Sequence, residues 1–145
     1  MRVPRSALAR RLVETMKIHH VLVRQHVDLS RFEESVRFYE GLFNEEARLR
    51  LTPVEGALHV AQVASVLLVG VGADMAGEMP DVRSAFLVDK LEDVVRDVVA
   101  QGARLVEAIA TIETGQYALI RHPDGLLVEY VEHTRKNPQD FVLSE

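Results

Sequence analysis

A pattern that occurs twice along the chain narrows the folds open to it. A β-rich stretch, Ile18–Gln25, leads through Asp28-Leu29-Ser30 into a segment of helical periodicity. A second, Ser84–Val88, leads through Asp89-Lys90-Leu91 into another. Phe32, Ser35, Val36, Tyr39 and Leu42 or Phe43 share one face of the first helix. Leu91, Val94, Val95 and Val98 recur at i, i+3, i+4 and i+7 in the second. Ser30 with Glu33, and Asp89 with Glu92, have the spacing of reciprocal caps, an oxygen for orphan amides and a carboxylate for the positive helix end. Gly41 and Gly102 are the expected C-terminal stops.

Strand-like segments follow each helix. Ala47–Leu51, Leu58–Val63 and Val66–Val71 are separated by Pro53, Gly56 and the small pair Ala64-Ser65. Arg104–Ala108, Gln116–Arg121 and Leu126–Val131 are separated by Gly115 and by His122-Pro123-Asp124-Gly125, where Pro suits the second turn position and Gly the last. The Gly-rich stretch 72–80 reads as the linker. The order is β-α-β-β-β twice, with module one at about 17–72 and module two at about 83–133. This reads as a single domain over 17–133, followed by a polar tail, 134–145, whose Phe141-Val142-Leu143 can dock on the body.

Charge and residue usage exclude several functions. The net charge is −5, yet Arg2, Arg5, Arg10, Arg11 and Lys17 face only Glu14 in the first seventeen residues, so that segment carries +4 and the rest −9. An acidic body lacks the clustered cations that phosphate backbones require, so no nucleic-acid partner is expected. Leu8, Leu12 and Met16 follow Ser6 at helical spacing, so residues 1–16 read as a basic, amphipathic helical arm packed on the body or a partner subunit. No run of about 18 apolar residues is present, which argues against a membrane-spanning helix. With no cysteine there is no thiolate ligand, thiol nucleophile or disulfide, which fits a reducing, cytoplasmic setting. Gly70-Val71-Gly72 lacks the third glycine and following helix of a dinucleotide loop, and no G-x-S-x-G elbow occurs.

Further residues carry a resemblance. His19-His20-Val21 opens the first strand, and Ser35-Val36-Arg37-Phe38-Tyr39 lies in the first helix. Phe86-Leu87-Val88-Asp89, Gln101-Gly102-Ala103 and His122-Pro123-Asp124-Gly125-Leu126-Leu127-Val128-Glu129 follow in that order. Over about residues 17–133 the chain resembles the vicinal oxygen chelate superfamily, which groups glyoxalase I, bleomycin-resistance proteins, fosfomycin-resistance enzymes and extradiol dioxygenases. The resemblance implies an α+β fold in which two tandem βαβββ modules form a curved mixed sheet around a cavity, and it implies a homodimer. Members with metal chemistry bind a divalent ion through a His or Gln on the first strand, a His opening the second module and a Glu on the last strand. Some add a Glu at the end of the first module.

This chain keeps part of that set. Glu129 matches the last-strand glutamate. His20 is the best match on the first strand, in an alternating run with Leu22 and Arg24, and His19 would point to the opposite face. Counting back from Asp89-Lys90, the expected histidine is Arg83, with Ser84 beside it, and Val66–Val71 holds no carboxylate. A guanidinium stays protonated and has no lone pair to give. An Arg83–Glu129 salt bridge in place of a metal is therefore the expectation, and no cofactor is favoured.

His59 reads as lining the first module's half of the cavity, and it is the substitute metal ligand open to an alternative site. Arg121 and Arg24 fit an anionic ligand or an exposed surface. His26, His122 and His133 read as surface residues, and Tyr39 as packing. Three functions stay open: a metal-free module binding a hydrophobic or aromatic small molecule through His20, His59, Arg83, Arg121 and Glu129; a divalent-metal isomerase, lyase or dioxygenase using His20, Glu129 and a third ligand; and a metal-free enzyme with Glu129 as general base.

Overall fold

A computed structural model describes residues 18–133. The expected arm and tail lie outside the described residues. Eight strands form one sheet: β1 (Ile18–Asp28), β2 (Leu49–Val54), β3 (Leu58–Val63), β4 (Val66–Val71), β5 (Ser84–Val88), β6 (Arg104–Ile112), β7 (Gly115–Arg121) and β8 (Leu127–His133). Helices α1 (Phe32–Phe43) and α2 (Leu91–Ala100) follow β1 and β5. The strand order is β2-β3-β4-β1-β5-β8-β7-β6. β1 runs parallel to β4 and β5 parallel to β8, while the modules meet through the antiparallel β1–β5 pair. The duplicated βαβββ order is therefore present as expected, as an eight-stranded sheet curled into a half-barrel.

The helix ends depart from the expected caps. Asp28, not Ser30, supplies the acceptor at the first: its Oδ1 takes the Ser30 N–H at 3.0 Å and the Ser30 hydroxyl at 2.8 Å. That bond opens a 3-10 turn, Leu29–Arg31, before α1 begins at Phe32. At α2 the Leu91 N–H donates to Glu132 Oε1 of β8 at 2.9 Å, so a carboxylate from the far strand replaces the local Asp89 cap. α1 runs past Gly41 and stops at Asn44, in the left-handed region at φ 55°. Gly102 stands just past α2 at φ 104°, where Ala103 N–H returns to Val98 O, a left-handed stop as expected.

Both helices cover the same face of the sheet. Phe32 and Val36 pack on Ala61, Val63, Val66 and Leu68, and Leu91, Val94 and Val95 pack on Ala118, Ile120, Val128 and Tyr130. Because strand residues alternate between faces, their neighbours in sequence lie on the helix-free side. There Leu22, Ala85, Leu87 and Val131 form a third apolar cluster joined by Leu67, Ile112 and Tyr117. Gly70 lies on the helix side, under Phe32, where a Cβ would stand 2.6 Å from the Phe32 ring. α1 packs mainly on β3 and β4, and α2 on β6, β7 and β8. The seam between them stays bare, with Val21 and Val23 of β1 at 55% and 57% exposure.

Candidate functional site

The helix-free face gathers the polar groups. Glu129 pairs in register with Ala85 on β5 and Leu119 on β7, and Ala85 pairs with Leu22 of β1. One step along β1 from Leu22–Ala85 stands Arg24, whose backbone N–H donates to Arg83 O at 2.8 Å. Arg24 Nε reaches back across β5 and donates to Glu129 Oε1 at 3.2 Å. The pair is largely shielded, with side chains 9% and 19% exposed. Arg24 Nη1 also donates to Val82 O at 3.3 Å and to His26 Nε2. Since a guanidinium only donates, Nε2 of His26 must accept, which fixes the neutral tautomer with its proton on Nδ1. Burial holds the His26 pKa below the ordinary 6.5, helped by the Arg24 and Arg83 charges and opposed by Asp81.

The expected Arg83–Glu129 salt bridge is thus corrected in one partner. The face holds an arginine–glutamate pair, but the arginine is Arg24. Arg83 stands where the chain enters β5; its Nε donates to Asp81 Oδ1 at 3.3 Å and its side chain is 76% exposed. Arg24 sits on a central strand, flanked by β4 and β5, and reaches the carboxylate without leaving the face.

The remaining candidates separate by face. His20, opposite Leu87, follows a register irregularity in β1 and shares the Leu22 side. His19 is exposed, with Nε2 3.6 Å from Asp89. His59 lies on the helix side instead, since its strand neighbours Ala61 and Val63 pack under α1. Its ring meets Phe32 edge-on at 5.8 Å, so the expected lining of the Glu129 side by His59 is corrected: the backbone of β3 separates the two. Arg121 shares the Glu129 side, and its Nη1 donates to Gly125 O at 3.0 Å in the turn. His122 is also no simple surface residue, because its Nε2 lies 2.6 Å from the Tyr130 hydroxyl beneath Phe86.

Two polar groups on this face escaped the sequence reading. Gln62 of β3 is 1% exposed; its Nε2 donates to Ala64 O at 3.0 Å, while Oε1 is buried without a hydrogen-bond partner. Tyr117 of β7 donates to Glu107 at 2.8 Å, and that bond, with burial and the nearby carboxylates, pushes its pKa up to about 12. A polar residue at an inward alternation position was the available signal for both.

The side chains present do not fit the superfamily's metal. Among the described residues no three His, Asp or Glu side chains converge as a metal-holding group. Glu129 is bonded to a permanent cation, and the residue across from it in β5 is Ala85.

No protein-family model matches the chain, and no curated protein does. Solved structures match it. An uncharacterised protein from Methanosarcina mazei aligns with a TM-score of 0.75 at 27% identity, covering 84% of this chain and 98% of that one. Methylmalonyl-CoA epimerase from Mycobacterium tuberculosis aligns at 0.55 and 18% identity, over 83% of this chain and 89% of its own. A variant of the Streptomyces coelicolor epimerase, in complex with 2-nitronate-propionyl-CoA, aligns at 0.54 and 17%, over 82% and 98%. These epimerases are vicinal oxygen chelate proteins, and at such identities the likeness is one of fold. No helix among the described residues is long and apolar enough to cross a membrane. The duplicated βαβββ modules, their strand order and these neighbours agree: the chain has the fold of the vicinal oxygen chelate superfamily.

Proposed function

We propose that this chain is a metal-independent binding protein for a small, partly apolar molecule, lodged on the helix-free face of the sheet. It resembles bleomycin-resistance proteins in mode rather than the superfamily's metal enzymes. The Arg24–Glu129 pair carries the reading. In a metal-dependent relative the last-strand glutamate gives its charge to the ion; here a guanidinium at 3.2 Å takes that charge. An apolar floor of Leu22, Leu87, Val131 and Leu67 surrounds the pair, with Gln62 and Tyr117 as the polar groups that could orient a ligand. The alternative enzyme with His20, Glu129 and His59 as ligands draws no support from the geometry, because His59 lies across the sheet.

Titration calorimetry of the purified chain with nickel, manganese and zinc tests the reading. The expected outcome is no stoichiometric binding that depends on Glu129. Tight one-to-one binding lost in Glu129→Ala would overturn it.

A further inference from the structure

Four arginine positions fall in one register row across the sheet, although the Arg83 side chain turns away toward Asp81. Arg24 of β1 donates its N–H to Arg83 O, and Arg83 precedes by one residue the parallel pair Ser84–Val128, which places it beside Leu127. Leu127 pairs with Arg121, and Arg121 pairs with Arg104 on the edge strand β6. Four arginines thus occupy one register row on a body whose net charge is strongly negative.

Arg24 is spent on Glu129 and Val82 O, but the other three keep donors free. Arg83 uses Nε on Asp81, and Arg121 uses Nη1 on Gly125 O. No carboxylate among the described residues forms an ion pair with Arg121 or Arg104. Like charges directly opposite one another on neighbouring strands are destabilising. An edge strand needs only one charge to discourage pairing, not a second facing it.

We propose that Arg121 and Arg104 bind the phosphoryl group of a small phosphomonoester whose uncharged apolar part lies against the half-buried ring of Tyr117. The charges select the anion. One guanidinium fork satisfies a carboxylate, whereas two adjacent forks match a dianion with three equivalent oxygens. The next row toward the floor selects the rest of the ligand. Glu107 lies there in register, so a second anionic group would meet its carboxylate, while a neutral apolar body meets the ring of Tyr117. This assignment deepens the proposed binding function and rests on it for the place of the ligand.

Calorimetry with phenyl phosphate, inorganic phosphate and phenol on the full chain tests the assignment. Phenyl phosphate should bind tightest, inorganic phosphate should compete with it, and its affinity should fall with added NaCl. Arg104→Gln and Arg121→Gln should each weaken phenyl phosphate about tenfold or more, the loss of a charge-assisted pair. Arg104→Lys should recover part of that, keeping the charge without the fork. Arg104 is exposed on an edge strand, so its variants keep the core intact. Phenyl phosphate binding no tighter than phenol, or affinity unchanged in both Gln variants, would overturn the row as an anion site. Phenol binding without phosphate preference would do so while leaving the metal-free binding reading in place; Glu129-dependent metal binding would overturn that reading and not the row.

Discussion

Removing either partner of the Arg24–Glu129 pair should cost stability, and the two removals should differ. At 3.2 Å and an effective dielectric near 20, the attraction is about 5 kcal/mol. Taking the two ions out of water costs several kcal/mol each, so the intact pair is close to neutral for stability. Glu129→Leu removes the attraction and leaves Arg24 at 9% exposure with a charge it cannot shed. Its remaining acceptors are Val82 O and His26, and we expect a loss of about 3 kcal/mol. Arg24→Met leaves a carboxylate that is 19% exposed and able to protonate, with a smaller loss of about 2 kcal/mol. In the double variant no stranded charge remains, so its cost should stay near zero, giving a coupling of about 5 kcal/mol, the size of the attraction itself. Urea denaturation with m-values shared across the four proteins measures the cycle. The same cycle with Arg83→Met should show no coupling to Glu129. Additive singles, or coupling to Arg83 instead of Arg24, would refute the reasoning.

Two further outcomes follow from the packing and from the His26 environment. Gly70→Ala places a methyl 2.6 Å from the Phe32 ring, an overpacking that should cost about 1–3 kcal/mol in the same denaturation assay; a neutral result would mean that α1 shifts freely. Because His26 is held below 6.5 by burial and Arg24, the unfolded chain binds its proton first as pH falls. Its contribution is therefore fully present above pH 6.5 and is lost as pH drops through the folded-state value. Melting temperatures from pH 7 downward should fall more steeply for the native chain than for His26→Gln, and parallel slopes would refute this.

The duplicated architecture was legible because its signals are local. Alternation, helical periodicity and the Pro123-Asp124-Gly125 turn depend on near neighbours, and β3, β4 and β5 begin and end where the pattern places them. The cap of α2 was less legible because its partner is distant: Glu132, forty-one residues on, serves it. Strand length was underestimated in β6, which continues past Ala108 to Ile112.

The site was only half legible. The alternation His20, Leu22, Arg24 already placed Arg24 on one face, but an arginine in a strand is usually exposed. Nothing local shows that a carboxylate 105 residues away will meet it. Arg83 was chosen by counting from Asp89, which locates the backbone but not the side chain's exit toward Asp81. The face of His59 was undetermined for another reason: β3 carries apolar residues and one polar residue on each side, His59 and Gln62, so its alternation carries no sign of which side the helix covers.

The two modules are held in register by the β1–β5 pair, and among the described residues no helix spans the Val21–Val23 strip on the outside. Arg24 belongs to the first module and Glu129 to the second, so their bond is a stitch across that seam. A ligand acid that drew Arg24 away from Glu129 would loosen the stitch as it bound. By reciprocity, anything that tightened the two halves against each other would raise the threshold for that exchange. A single ion pair thereby links how firmly the halves are joined to how readily the inner face releases its own charge.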